Sequence, residues 1–187
     1  LLQYYGFIFF LIIAIIYCRH VEKFSLSSIG FNKHALDYIL GAVIAVILLS
    51  SIMVICSATG AISYIGMRRD IDYTYIVLLL GSLIIQSAAE EVLCRGFLMK
   101  SLAKRISMPL AIAISSTAFA YPHFATLFEA ETEFAIIGTI NLYLVSTVFS
   151  LLVITRSNIW TACGLHGIWN FLLYGVFGLA LSGSEQN

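Results

Sequence analysis

Between residues 78 and 97 the apolar run LLLGSLIIQSAAEEVLCRGF carries Glu90, Glu91 and Arg95, where a lipid-facing helix should have no charge. An ionisable side chain at bilayer depth costs about 2.5–3.5 kcal/mol on insertion scales, so such groups face protein or a water-filled cavity. Glu91 and Arg95 stand four residues apart, share a helix face, and can pair to relieve both charges. Glu90 points about 100° away and is left for other work. Two further spans repeat that spacing: Phe119 and His123 in FAYPH, and the two polar residues His166 and Asn170 in HGIWN. Pro122 precedes His123, removes a backbone hydrogen bond to the Ala118 carbonyl and kinks the helix, which suggests a hydrated cavity at that level.

A carboxylate beside an imidazole can hold and deprotonate water, and two further donors can stabilise the oxyanion formed when that water attacks a carbonyl. That division makes Glu90 the base, His123 its partner on the water, and His166 with Asn170 the oxyanion site. It is amide hydrolysis without a serine or cysteine nucleophile. Cys94, one turn from Glu90, reads as packing. The same atoms admit a second reading: Glu90, His123 and His166 as a two-histidine, one-carboxylate zinc site with an open position for water. HExxH is absent, so those ligands would come from three separate helices.

These groups work together only if their helices deliver them to one depth. Glu90 lies 16 residues before Ile106 and His123 lies 16 after Ser107, on either side of the turn RISMP. At about 1.5 Å per residue, antiparallel neighbours hold both at one height. Glu90 is ten residues from Lys100, roughly 15 Å deep, and His166 is eight from Asn158, roughly 12 Å deep.

The elements that would position them are membrane spans. Of 187 residues, 60% are hydrophobic and 11% charged, a composition for a polytopic all-α membrane protein. Ten basic residues balance ten acidic ones and no basic aromatic stripe occurs, which speaks against nucleic-acid binding. Six apolar segments are expected to span: 1–18, 38–62, 75–99, 108–127, 134–154 and 158–181. The last four form the catalytic core, giving an N-terminal part over 1–74 and a catalytic part over 75–187. The first connection is long enough for a short helix on the membrane surface. Leu1 opens inside an apolar run without a Met, so the natural chain is expected to continue upstream of it.

Arg19, Lys23, Lys33, Arg95, Lys100, Lys104, Arg105 and Arg156 fall on one side of this topology, against Arg68 and Arg69 on the other. The positive-inside rule places the first group in the cytoplasm. Glu129, Glu131 and Glu133 then form a solvated acidic loop outside. Cys18, Cys56, Cys94 and Cys163 have no paired spacing and read as free thiols. Asn141 is expected to be interhelical glue, Trp160 and Tyr73 interfacial anchors, and Trp169 packing or cavity wall. Gly81, Gly164 and Gly167 are expected at close helix approaches.

The quoted residues resemble a family. EEVLCR fits EExxxR, FAYPH fits FxxxH and HGIWN fits HxxxN, in that order on successive spans. This resembles the CPBP group of intramembrane proteases, which includes Ras-converting CAAX endopeptidases and bacterial proteins linked to bacteriocin processing and immunity. The resemblance covers residues from about 75 to 182 and points to a bacterial member. It implies a glutamate-type intramembrane endopeptidase acting without a cofactor on a membrane-associated peptide or protein. It matches Glu90 and His123 to the water-activating pair and His166 and Asn170 to the oxyanion residues, with Glu91, Arg95 and Phe119 in support. The expected setting is the lipid bilayer of the cell membrane, with the active site opening to the cytoplasmic side. The contrasting reading is a non-catalytic immunity protein that acts by contact.

Overall fold

The computed structural model describes residues 5–32, 34–66 and 69–179. Leu1, Lys33 and Arg68, which entered the sequence reading, and the end of the sixth expected span lie outside the described residues. The described chain is all helical: α1 (Phe7–His20), α2 (Leu26–Ile29), α3 (Asp37–Ala58) and α4 (Tyr73–Glu91) are followed by α5 (Met108–Ala120) and α6 (Phe124–Glu129). The chain then runs through α7 (Thr132–Arg156) and α8 (Trp160–Phe171). α4 continues as a π-helical segment over Val92–Met99 and a last turn over Lys100–Leu102. α8 likewise ends in a π-helical segment over Leu172–Val176. A 3-10 turn over Tyr121–His123 joins α5 to α6 at the proline that the sequence marks as a kink.

Four stretches are long and apolar enough to cross a membrane: Asp37–Ala58, Tyr73–Leu102, Met108–Glu129 and Thr132–Arg156. They correspond to the second through fifth expected spans. The first is shorter than expected where it is described, as Phe7–His20. The sixth is also shorter than expected where it is described, as Trp160–Phe171 with its π-helical end over Leu172–Val176. Seven successive residues, Thr161 to Gly167, are buried.

The distribution of polarity is inverted relative to a water-soluble bundle. Ile12, Ile13, Ile47, Val54, Ile137 and Leu144 are exposed, while Ser82, Ser87, Ser115, Ser116, Ser146, Ser150 and Thr161 are buried. Lipid offers no hydrophobic drive for helix association, so close approach of small residues and interhelical hydrogen bonds hold the bundle together. The tightest crossing is α3 against α8. A Cβ on Gly41 would run into the Thr161 carbonyl, and a Cβ on Gly164 would run into the Tyr38 carbonyl. Gly164 is at a close approach as expected; Gly41 was not anticipated. Asn141 departs from its expected role, being exposed and without a side-chain hydrogen bond among the described residues.

The first connection also departs from a helix that merely lies on a surface. Ser25 caps α2 by accepting from the Ser28 N–H at 3.0 Å, and Ile29 is fully buried against Gly96. Gly30, with φ of 113°, ends the turn, and its carbonyl accepts from Ile159 N at 3.3 Å. Lys100 Nζ donates to the Ser28 carbonyl at 2.8 Å. Trp160, expected as an interfacial anchor, donates Nε1–H to the Asn32 carbonyl at 3.0 Å and meets Phe31 edge-on. Asp37 receives Arg156 Nη2 at 2.7 Å and Asn158 Nδ2 at 2.7 Å. Connection, α4 end and α7–α8 turn are thus tied at one end of the bundle, fixing the height at which α8 starts. Glu129, Glu131 and Glu133 are exposed, as a solvated loop requires.

Gly164→Val should force α3 and α8 apart and cost about 1–3 kcal/mol, the range for overpacking. Thermal unfolding in detergent should show a clear drop for it. Gly167→Ala should show little change, because its added methyl meets only ordinary contacts from 3.4 Å outward.

Candidate active site

α4 carries two adjacent faces into the interior. Gln86 and Glu90 lie four apart on one, and Glu91 and Arg95 lie four apart on the next. Glu91 and Arg95 are both fully buried. Arg95 Nη1 donates to Glu91 Oε1 at 3.0 Å, while Nη2 donates to the Ser146 carbonyl at 3.0 Å and to Ser146 Oγ at 2.6 Å. Ser146 Oγ donates on to Ser116 Oγ at 2.9 Å, which links α4, α7 and α5. The guanidinium also lies 4.6 Å from the Phe119 ring centre and 5.3 Å from that of Phe149, within cation–π range.

His166 enters this cluster from α8. Its Nδ1 is 3.0 Å from Glu91 Oε1, the oxygen that also receives Arg95. A carboxylate held by an arginine can only accept, so Nδ1 is the nitrogen that carries hydrogen. That assignment aims Nε2 at Glu90, whose Oε2 is 3.7 Å away. The imidazole stacks on Phe149 at 4.9 Å and 19° and meets Phe119 edge-on at 5.7 Å and 71°. Two rings and one carboxylate therefore fix its orientation.

Glu90 is held from the other side. Gln86 Nε2 donates to Glu90 Oε1, and Asn170 Nδ2 donates to Gln86 Oε1 at 3.3 Å. Glu90 Oε2 is buried without a hydrogen-bond partner among the described residues. The structure thus joins Glu90, Glu91, Arg95, Phe119, His166 and Asn170 in one constellation. His123 sits beside it on the 3-10 turn, with Nδ1 3.1 Å from the Phe119 carbonyl and its ring 5.5 Å from the Phe119 ring. No hydrogen bond or ion pair joins His123 to Glu90 among the described residues. Among them, too, no three His, Cys, Asp or Glu side chains are grouped so as to hold a metal ion, Glu90, His123 and His166 included.

Glu90 also lines a cavity of about 440 Å³ in the groove over α4, flanked by α1 and α5. Phe7, Phe10, Leu93, Phe97, Phe119 and Pro122 form much of its wall, and Glu90 is its charged member. The Pro122 break therefore does border a cavity, although its lining is mostly apolar. Cys94 is buried at its edge and free, with its carbonyl accepting from Ser115 Oγ at 2.8 Å. A second depression of about 450 Å³ against α6 and α7, lined by Leu127, Phe128 and Ile136 among others, contains no ionisable residue.

Gln86, Ser116, Ser146 and Phe149 are missing from the sequence reading. Gln86 had a signal, since it precedes Glu90 by one helical turn in an apolar span. The serines and Phe149 had none, because such residues are ordinary in membrane helices. Arg95→Ala should leave Glu91 buried without its cation and cost about 3–5 kcal/mol, the range for breaking a buried pair. Thermal unfolding in detergent should show it. Arg95→Lys should recover only part of the loss, because an ammonium lacks the planar fork that serves Glu91 and Ser146 together.

A family model described as Rce1-like, type II CAAX prenyl endopeptidase, matches residues 72–172, more than half of the chain. No curated protein and no solved structure matches it. The matched segment opens at Asp72, whose side chain caps α4 by accepting from Tyr75 N at 3.1 Å, and ends just past Asn170. It contains every member of the constellation, while α1 to α3 lie outside it. On that match, and with its apolar helices, the chain is a multi-pass membrane protein that belongs to the Rce1-like family of type II CAAX prenyl endopeptidases, membrane-embedded proteases.

Proposed function

We propose that the protein is a glutamate-type intramembrane endopeptidase that cuts a membrane-associated peptide or protein, with Glu90 as the base. The observation that carries this reading is the free Oε2 of Glu90, set against His166 Nε2 at 3.7 Å beside an apolar cavity. A substrate peptide seats apolar groups in that cavity and presents its scissile carbonyl to the polar cluster. Glu90 Oε2 takes a proton from a water that His123 helps to hold, and the resulting hydroxide attacks the carbonyl carbon. His166 Nε2–H and Asn170 Nδ2–H stabilise the oxyanion. Glu90 then returns its proton to the departing amine as the tetrahedral intermediate collapses.

His166 can serve as a donor only if Nε2 also carries hydrogen, that is, as an imidazolium. Glu90 and Glu91 both face the His166 ring, at 3.7 Å and 3.0 Å, and Arg95 is paired with Glu91. Glu91 and Arg95 thus support the reaction through His166 without touching the substrate. The chemistry needs no cofactor. The basic residues at the Lys100 end favour opening towards the cytoplasm, in the cell membrane. The family's name makes a prenylated C-terminal peptide the first substrate class to try.

Internally quenched peptides, with and without a farnesylated cysteine near the C-terminus, should be cleaved by purified protein in detergent. Glu90→Gln should reduce the rate by about 10²–10⁴-fold, the usual contribution of a general base, while the protein remains folded. Activity should survive a chelator. Loss to a chelator with recovery on adding zinc would favour the alternative in which Glu90, His123 and His166 bind the metal. If Glu90→Gln and His123→Ala both kept full protection against a bacteriocin, the non-catalytic immunity reading would replace the protease.

A further inference from the structure

Gln86 is nearly buried, at 8% exposure, and both ends of its amide are engaged. Nε2 donates to Glu90 Oε1, and Oε1 accepts from Asn170 Nδ2 at 3.3 Å. We infer that Gln86 is a positioning residue for catalysis, an amide relay that sets the rotation of the Glu90 carboxylate and the donor direction of Asn170 at once. This rests on the reading of Glu90 as the base and Asn170 as an oxyanion donor.

The direction of the relay follows from hydrogen-bond chemistry. An ionised carboxylate accepts and never donates, so Glu90 selects the NH₂ end of Gln86. The carbonyl end of Gln86 is thereby presented to Asn170. A carbonyl also only accepts, so Asn170 must turn its own NH₂ inward and its carbonyl away. One N–H of Asn170 Nδ2 is used on Gln86, and the other is left to meet an oxyanion. Without the relay, the Asn170 amide has two orientations, and in one of them its carbonyl oxygen would face the developing negative charge. The same contact occupies Glu90 Oε1, leaving Oε2 as the oxygen that faces His166. A single side chain therefore aligns the base on α4 with the donor on α8. Gln86 lies outside EExxxR, FxxxH and HxxxN, yet it connects the first of these to the last.

The test measures kcat and KM with the internally quenched peptide that the wild type cleaves fastest. The variants are Gln86→Met, Gln86→Glu, Asn170→Ala and the double variant Gln86→Met/Asn170→Ala. Gln86→Met should lower kcat roughly 10–100-fold, somewhat less than outright loss of an oxyanion donor, with KM within about threefold because the residue touches no substrate. Gln86→Glu should lose at least as much, since its carboxylate cannot donate to Glu90. The double variant should lose clearly less than the product of the two single losses, because Gln86 acts partly through that amide and partly through Glu90.

A double variant whose loss equals the product of the two single losses would overturn the relay, since a merely structural role is additive. So would a Gln86→Met enzyme within twofold of wild type while Glu90→Gln is inactive. If Glu90→Gln itself retained activity, the proposed function would fail whatever Gln86 did. Infrared spectroscopy provides a readout that needs neither turnover nor the Met variant's folding. The antisymmetric carboxylate band of Glu90, assigned by its absence in Glu90→Gln, should shift in Gln86→Glu or Gln86→Met. An unmoved band would overturn the inference.

Discussion

The buried contact between Glu91 and Arg95 is the constraint around which this bundle is arranged. Neither side chain reaches solvent, and moving two charges out of water costs several kcal/mol per ion unless each is paired and hydrogen-bonded. Three neighbouring helices converge on the pair and offset part of that cost, although Glu91 Oε2 and Arg95 Nε have no hydrogen-bond partner among the described residues. α7 provides Ser146, α5 provides Phe119, and α8 provides His166. Each partner is useful only at one rotation of its helix. The ion pair therefore fixes not just which helices meet but which faces they turn inward.

That arrangement has a chemical consequence through adjacency. Because Glu90 precedes Glu91 directly, anchoring Glu91 to Arg95 and His166 points Glu90 about a quarter-turn away, towards the cavity. The π-helical segment that begins at Val92 is a form of helix found often at functional sites. One acid is paired and buried, and its neighbour keeps an oxygen without a hydrogen-bond partner among the described residues. His166 is shared between them, with Nδ1 on Glu91 and Nε2 towards Glu90.

Rigidity elsewhere serves this geometry. α8 brings both His166 and Asn170 to the cluster, and two sets of contacts hold it in place. Glycine-to-backbone contact with α3 sets the rotation, and the Asp37–Arg156–Asn158 tie sets the height. Neither α3 nor Asp37 lies in the segment matched by the family model, although α8 depends on both. α1, also outside that segment, contributes Phe7 and Phe10 to the cavity wall. The part of the chain outside the matched segment thus shares this cavity wall with Glu90.

Much of this was legible in the residues. Long apolar runs dictated an all-helical membrane protein, the EExxxR spacing dictated an ion pair at i and i+4, and Pro122 dictated a break. Each is local physics, decided within one or two turns of helix. Counting along the chain at a constant rise per residue also put Glu90, His123 and His166 at similar depths. What the sequence could not contain was azimuth, the direction each helix face takes once neighbours are chosen. Only the tertiary structure turned His166 onto Glu91 as well as towards Glu90, placed His123 against its own Phe119 carbonyl, and inserted Gln86 between Glu90 and Asn170. Height follows from counting along one chain, whereas rotation follows from which distant residues happen to fit, and no spacing rule records that.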